Sequence, residues 1–139
     1  MPFFQNVGAA TIAEVTRLLR PREYPAGAVI VRRGEPGDCM YFIASGEVEI
    51  EVSPDLLRLG TGEFFGEIAL LTGAPRTASV TAAEACTLLQ LDIVEFRELM
   101  GRQPDLARVI YEAAHQRLGS VDAGQMRERE AAFDYDMPG

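Results

Sequence analysis

Apolar and polar residues along this chain follow a helical spacing first, then a strand spacing, then a helical spacing again. Within residues 8–20, Ile12 and Val15 fall on one helical face, which predicts an amphipathic helix. Pro21 is expected to end this helix, because proline interrupts helical hydrogen bonding. From residue 22 to residue 92, short apolar runs alternate with turn residues, and the helical spacing then returns.

Residues 47–52 show the clearest strand pattern. Val48, Ile50 and Val52 alternate with glutamates, as in the half-buried strand of an antiparallel sheet. Similar short runs occupy residues 28–33, 39–44, 56–59, 77–81 and 86–91. Many short strands separated by turn residues predict a β-sandwich or a β-barrel.

The C-terminal part predicts two helices and a tail. Residues 94–100 have helical spacing, and Pro104 stands where a second, longer helix can start. We therefore expect one domain over residues 1–121, with a helix at 8–20, a β-roll at 22–92 and C-terminal helices at 93–119. The apolar period ends there, so residues 122–139 are predicted to form an acidic, flexible tail.

Composition excludes several classes of function. The 139 residues carry a net charge of −8 without a basic stripe, so we expect no nucleic-acid surface. All 13 basic residues are arginines, which excludes a Walker-type phosphate loop and Schiff-base chemistry on lysine. No apolar run is long enough to span a bilayer, and no signal peptide is apparent. We expect a soluble, cytoplasmic domain that does not itself insert into a membrane.

Few residue types suited to metal binding or catalysis are present. Cys39 and Cys86 lie far apart, and we interpret them as two reduced, partly buried thiols. His115 is the only histidine, so a metal site of the cupin type is not expected. No nucleophile with an adjacent base is visible either, and the sequence therefore predicts a protein that is not an enzyme.

Residues 62–80, GEFFGEIALLTGAPRTASV, carry the candidate chemistry. Gly66 lets the backbone approach a ligand closely, and the short helical run after it presents free N–H groups that favour an anion. Arg76 offers a planar fork that matches two phosphate oxygens, and Thr77 adds a hydroxyl. Glu67 would repel a phosphate, so it should accept hydrogen bonds from a sugar. Together these groups predict a site for a sugar phosphate.

The runs FGEIALL at 65–71 and PRTASV at 75–80 resemble the phosphate-binding cassette of the cyclic-nucleotide-binding family. The family's glycines are matched at Gly34, Gly37 and Gly46, and the similarity covers about residues 3–120. The resemblance implies an α+β, mainly β fold. This fold would be an eight-stranded antiparallel jelly-roll β-barrel with a short phosphate-binding helix, flanked by an N-terminal helix and two C-terminal helices.

The resemblance also implies a role for each matching residue. Glu67 would accept from the ribose 2′-hydroxyl, Arg76 would pair with the cyclic phosphate, and Thr77 would touch the phosphate. A threonine at this place often accompanies acceptance of cGMP, so the choice between cAMP and cGMP stays open. Backbone groups would come mainly from Gly66, Ile68, Ala69 and Ala78. The base pocket would include Val52 and Phe64, with Arg117 on the last helix placed over the purine.

Within the family, the short hairpin and flanking helices look most like the C-terminal gating domains of bacterial cyclic-nucleotide-regulated potassium channels. The implied function is a regulatory sensor of cAMP or cGMP that needs no other cofactor and moves its C-terminal helix, gating a channel from the cytosolic face of the membrane. The isolated domain is expected to be monomeric. Residues after 119 are few and acidic, so the helix-turn-helix of the transcription-factor branch is not expected here.

Two alternatives remain from the sequence. The chain could be a stand-alone sensor, or one linked to a kinase or a transporter. It could also be a degenerate member that no longer binds nucleotide and acts as a scaffold.

Overall fold

A computed structural model describes residues 3–52 and 55–119. After a 3₁₀ turn at Phe3–Asn6, the elements in chain order are α1 (Ala9–Leu18), β1 (Arg20–Tyr24), β2 (Val29–Val31), β3 (Cys39–Ser45), β4 (Val48–Val52), β5 (Asp55–Leu59), β6 (Phe64–Phe65), α2 (Glu67–Thr72), β7 (Val80–Ala82), β8 (Cys86–Asp92), α3 (Ile93–Arg102) and α4 (Pro104–Gly119). The predicted acidic tail at 122–139 lies outside the described residues.

The described residues form eight strands, which are arranged in two four-stranded antiparallel sheets. One sheet has the order β1-β8-β3-β6 and the other has the order β2-β7-β4-β5. The predicted mainly β fold with helices at both ends is confirmed, as is the number of strands. The sheets face each other without closing into the barrel that the resemblance implied, so the architecture is a two-sheet jelly roll.

The observed elements differ from the predicted ones most clearly at the first helix and at the strands β1, β6 and β7. The first helix ends at Leu18 rather than at residue 20, and the next residues form β1 with Pro21 inside it. Proline is tolerated there because β1 is an edge strand that pairs only with β8. The short strand β6 was not predicted, because two residues are too few to show a period.

The predicted strand at 77–81 begins only at Val80. Before it, the backbone of Arg76 pairs with the loop that follows β2. The Arg76 amide donates to the carbonyl oxygen of Glu35 at 2.8 Å, and the Gly34 amide donates to the carbonyl oxygen of Arg76 at 2.9 Å. This tertiary pairing replaces the sheet ladder that the alternation of small residues suggested.

Strand β3 is buried on both faces, which accounts for its continuous apolar run. On one face, Tyr41 and Ile43 join the core between the two sheets. On the other face, Met40 and Phe42 join a second core beneath the helices. The helices contribute to this second core with Val15, Leu99, Leu106 and Ile110, each no more than 1% exposed. Consequently, β3 links the helical layer to the interior of the jelly roll.

Hydrogen bonds connect the start of α1 to the junction between α3 and α4. The Gly8 amide donates to Asp105 Oδ2 at 2.8 Å. The buried hydroxyl of Thr11 lies 2.8 Å from Gln103 Oε1 and 3.0 Å from Asp105 Oδ1. These contacts join helices that are far apart in the sequence.

Candidate functional site

The site is built where β6 turns into α2. Gly66 caps the helix with φ of 92°, a left-handed conformation that residues with a side chain rarely adopt. A Cβ placed there would lie 2.9 Å from Arg76 Nη1 and 3.3 Å from the Cα of Met40. A glycine is therefore required both by the turn and by the close approach of β3 and Arg76.

Glu67, the first residue of α2, is a fully buried carboxylate. Its Oε1 accepts a hydrogen bond from Arg117 Nη1 at 2.7 Å, in an ion pair whose arginine side chain is 21% exposed. Its Oε2 is buried and accepts no hydrogen bond from any residue of the described part of the chain. A buried carboxylate oxygen without a donor is costly in a folded protein, so it identifies a place where a ligand donor would be stabilising.

Burial raises the pKa of Glu67 above its ordinary value of 4.5, against the opposing effect of the nearby Arg117 and Arg76 guanidiniums. Because the folded state then binds this proton more tightly than the unfolded state, Glu67 contributes stability at low pH. That contribution is lost as the pH rises from 4.5 through the folded pKa.

We expect Glu67→Gln to remove the loss of stability that occurs as the pH rises from 4.5 through the folded pKa of Glu67. The free energy of unfolding of the natural chain should fall relative to that of the variant as the pH rises above 4.5, because only the natural chain carries the carboxyl whose pKa burial raises. Urea unfolding of both proteins between about pH 5 and pH 8 measures this difference. Curves that stay parallel over that range would show that the carboxyl titrates as it does in the unfolded chain.

Both the backbone and the side chain of Arg76 make hydrogen bonds, although the residue lies in a loop. Its backbone pairs with the loop after β2, and its side chain turns inward, leaving the residue 6% exposed. Nη1 donates to the carbonyl oxygen of Gly66 at 3.3 Å, and Nη2 lies 3.6 Å from Cys39 Sγ. The guanidinium therefore lies between the start of β3 and the start of α2, close enough to Glu67 to affect its pKa.

Gly37 leaves room for this arrangement. A Cβ at Gly37 would lie 2.4 Å from the Cβ of Ala69 and 3.2 Å from the Cζ of Arg76. The sequence resemblance identified Gly37 as a glycine of the family, but only the structure shows that it packs against the site.

The last helix reaches the site through Arg117. Besides its contact with Glu67, the Arg117 guanidinium lies over the ring of Phe64, with Cζ 4.9 Å from the ring centroid. Phe64 itself is buried in β6. Two predicted purine-site residues thus contact each other, and one of them also contacts the predicted ribose acceptor.

The remaining predicted residues are distributed around these groups. Ala69 is buried in α2, Ile68 and Ala78 are half-buried, and Thr77 is exposed beside Arg76. Val52 ends β4, and its side chain lies outside the described residues. The sequence predicted Cys39 only as a reduced, partly buried thiol, because nothing in the local pattern indicates its contact with Arg76, 37 positions along the chain.

Two features are absent from the described part of the chain. No helix there combines the length and the apolar character needed to cross a membrane. Residues 3–52 and 55–119 also bring together no group of three or more His, Cys, Asp or Glu side chains that could hold a metal ion.

Comparison with known proteins identifies the family. Residues 21–103 match the model of the cyclic nucleotide-binding domain. A cyclic nucleotide-gated potassium channel of Rhizobium etli is 46% identical over 86% of this chain and 34% of the channel. A CRP-like cAMP-activated global transcriptional regulator of Mycobacterium tuberculosis is 31% identical over 83% of this chain and 54% of the regulator.

A solved structure shows the same fold. The crystal structure of the Thermus thermophilus catabolite activator protein superposes with a TM-score of 0.75 at 29% identity, over 90% of this chain and 62% of that one. The chain thus spans about a third of the length of the channel and about half that of the regulator. The family match, together with the shared fold and the cassette built around Gly66, shows that this chain belongs to the cyclic nucleotide-binding domain family.

Proposed function

We propose that this domain binds cAMP or cGMP and passes the binding event to its last helix. The observation that carries the proposal is Glu67, a fully buried carboxylate with one oxygen paired to Arg117 of α4 and the other without a donor. The ribose 2′-hydroxyl of a cyclic nucleotide is a donor of the kind that such an oxygen needs. The family to which the chain belongs is named for binding a ligand with that hydroxyl.

Two charged side chains bind different parts of the ligand. The cyclic phosphate pairs with Arg76, whose side chain is turned inward and whose fork suits phosphate oxygens. The ribose donates to Glu67, and Thr77 contributes a hydroxyl beside the phosphate. Further contacts come from the backbone of Gly66, Ile68, Ala69 and Ala78, and the purine lies near Phe64, Val52 and Arg117.

Arg117 couples the site to α4. The residue that we propose as ribose acceptor already holds a side chain of that helix at 2.7 Å. A ligand that donates to Glu67 changes the hydrogen bonding of the carboxylate that Arg117 contacts, so it changes the free energy of docking α4. A ligand can shift a helix between two positions only through such a difference in interaction.

Titration with each nucleotide tests the binding, and a distance measurement tests the coupling. Nitroxide labels at Glu23→Cys on β1 and Glu112→Cys on α4, both exposed positions, would report the position of the helix. We expect cAMP or cGMP to bind, to raise the unfolding temperature and to shift the distance distribution. In Arg117→Ala, the nucleotide-induced shift should be clearly smaller.

The variant Arg76→Ala with the same label pair provides the control, because it should lose the shift by losing the ligand. Two results would contradict the proposal. One is that saturating cAMP and cGMP leave the natural chain's unfolding temperature unchanged, which is the behaviour of a degenerate scaffold. The other is that Arg117→Ala keeps the full shift, which would remove Arg117 from the coupling.

For the larger protein, we propose a potassium channel that this domain regulates from the cytosolic face of the membrane. The support is the 46% identity to a channel domain, against 31% to a transcriptional regulator. A stand-alone sensor and a kinase- or transporter-linked sensor are the other candidates. Coding sequence for six apolar spans and a pore loop upstream would support the channel, whereas a helix-turn-helix downstream would support the regulator.

We also propose that the domain is a binding module rather than an enzyme. Its proposed partner is the cyclic nucleotide, with no nucleic acid and no other cofactor, and the isolated domain is proposed to be monomeric. Breakdown of cAMP or cGMP by the purified protein would contradict this part of the proposal, and nucleotide analysis after prolonged incubation would detect it.

A further inference from the structure

A buried thiol contacts the arginine that we propose as the phosphate ligand. Cys39 is 4% exposed, and its Sγ lies 3.6 Å from Arg76 Nη2. On the other side of the guanidinium, Nη1 donates to the carbonyl oxygen of Gly66 at 3.3 Å. Two acceptors thus hold two nitrogens of Arg76, one from the start of β3 and one from the turn into α2.

Both acceptors are uncharged. Burial raises the pKa of the Cys39 thiol above its ordinary value of 9.0, so the sulfur stays protonated near neutral pH. A neutral acceptor orients a guanidinium without compensating its charge, whereas a carboxylate in the same place would compete with a phosphate for it. Arginine also has more N–H donors than these two contacts use, so donors remain for a ligand.

The position of Cys39 is itself fixed by the sheet. It is the first residue of β3 and lies opposite Asp92 in the register with β8. Next to it, the carbonyl oxygen of Asp38 accepts from the amide of Ile93 at 2.8 Å. The pairing of β3 with β8 therefore fixes the backbone of Cys39. This limits the movement of its sulfur relative to the long side chain of Arg76.

We propose that Cys39 is a positioning residue, which orients the Arg76 guanidinium for the phosphate without itself adding a negative charge beside it. This role rests on the proposed function, since it concerns the same arginine. It explains why a residue outside the cassette motif should affect affinity.

Calorimetric titration with cAMP and cGMP tests this role in variants at Cys39, Arg76 and Cys86. Cys39→Ala removes the acceptor, and we expect affinity to fall roughly three- to tenfold, as for the loss of one ordinary hydrogen bond. Cys39→Ser should recover part of that loss, because a hydroxyl is also a neutral acceptor. In an Arg76→Ala background, Cys39→Ala should have no further effect. Cys86→Ala is the matched control, since this second buried thiol contacts the carbonyl oxygens of Glu47 and Glu84 instead.

A readout without nucleotide separates positioning from a general loss of packing. The side-chain ¹⁵N–¹H resonance of Arg76, assigned by comparison with Arg76→Lys, should shift and broaden in Cys39→Ala and stay unchanged in Cys86→Ala.

The possible outcomes distinguish the positioning role of Cys39 from the proposed function. An unchanged affinity in Cys39→Ala, or an equal loss in the Arg76→Ala background, would overturn the positioning role while the proposed function stands. An Arg76 resonance that is the same in Cys39→Ala and in the natural protein would also overturn it. If the natural protein binds neither nucleotide, the proposed function fails, and this role fails with it.

Discussion

Replacing Arg76 by alanine should lower the affinity for cyclic nucleotide by roughly 100- to 1,000-fold, the equivalent of two charge-assisted hydrogen bonds. The reason is that the guanidinium is almost fully buried, so any phosphate oxygens that it meets are shielded from water and ions. Calorimetric titration with cAMP and cGMP would measure the loss. Arg76→Lys should recover only part of it, because an ammonium lacks the planar fork.

Arg58→Ala is the appropriate control for this change in charge. Arg58 is an exposed arginine on β5 that pairs with Glu49 at 2.7 Å and with Glu47 at 3.3 Å. Exposed ion pairs of this kind contribute little, so both affinity and stability should stay nearly unchanged. Equal losses in Arg58→Ala and Arg76→Ala would mean that the overall charge, rather than a phosphate contact, controls binding.

The largest effect on stability is expected for Leu99→Ala, which should lower the free energy of unfolding by about 2–5 kcal/mol. Leu99 lies in α3, is 0% exposed and packs in the core beneath the helices. Truncating it leaves a cavity and removes buried apolar surface at the same time. Since a domain of this size is stable by about 5–15 kcal/mol, the variant should unfold at a clearly lower urea concentration.

Val94→Ala provides a control within the same helix. Val94 is 64% exposed, so its truncation removes almost no buried surface and should change stability by less than about 0.5 kcal/mol. Both changes introduce alanine, the better helix former, so a comparable loss in both variants would show that the burial of Leu99 does not explain its effect. The natural chain, Leu99→Ala and Val94→Ala can be compared by urea unfolding at one pH.

Local patterns predicted the elements whose side chains repeat regularly. The alternation of Val48 and Ile50 with glutamates predicts a strand, and the structure has β4 there. The spacing of Ile12 and Val15 predicts a helix, and α1 follows, although it ends earlier. Such patterns are readable because burial of one face is a property of neighbouring residues.

Elements that depend on a partner could not be predicted in this way. Strand β1 carries exposed residues and a proline, and it becomes a strand only because β8 lies beside it. Strand β6 has two residues, and it is set by pairing of Phe64 and Phe65 with β3. The loop at Arg76 displaces the start of β7 because the backbone there bonds to Gly34 and Glu35.

For the site, the sequence by itself determined the identity of the cassette, because glycine, carboxylate, arginine and threonine at this spacing form one continuous segment. The tertiary structure alone decided what the charged members touch. Glu67 meets Arg117 across 50 positions, and Arg76 meets Cys39 across 37. The physical reason is that a motif specifies which groups are available, whereas the packing of α4 and β3 around it decides which are buried, which are paired and which oxygen still needs a donor.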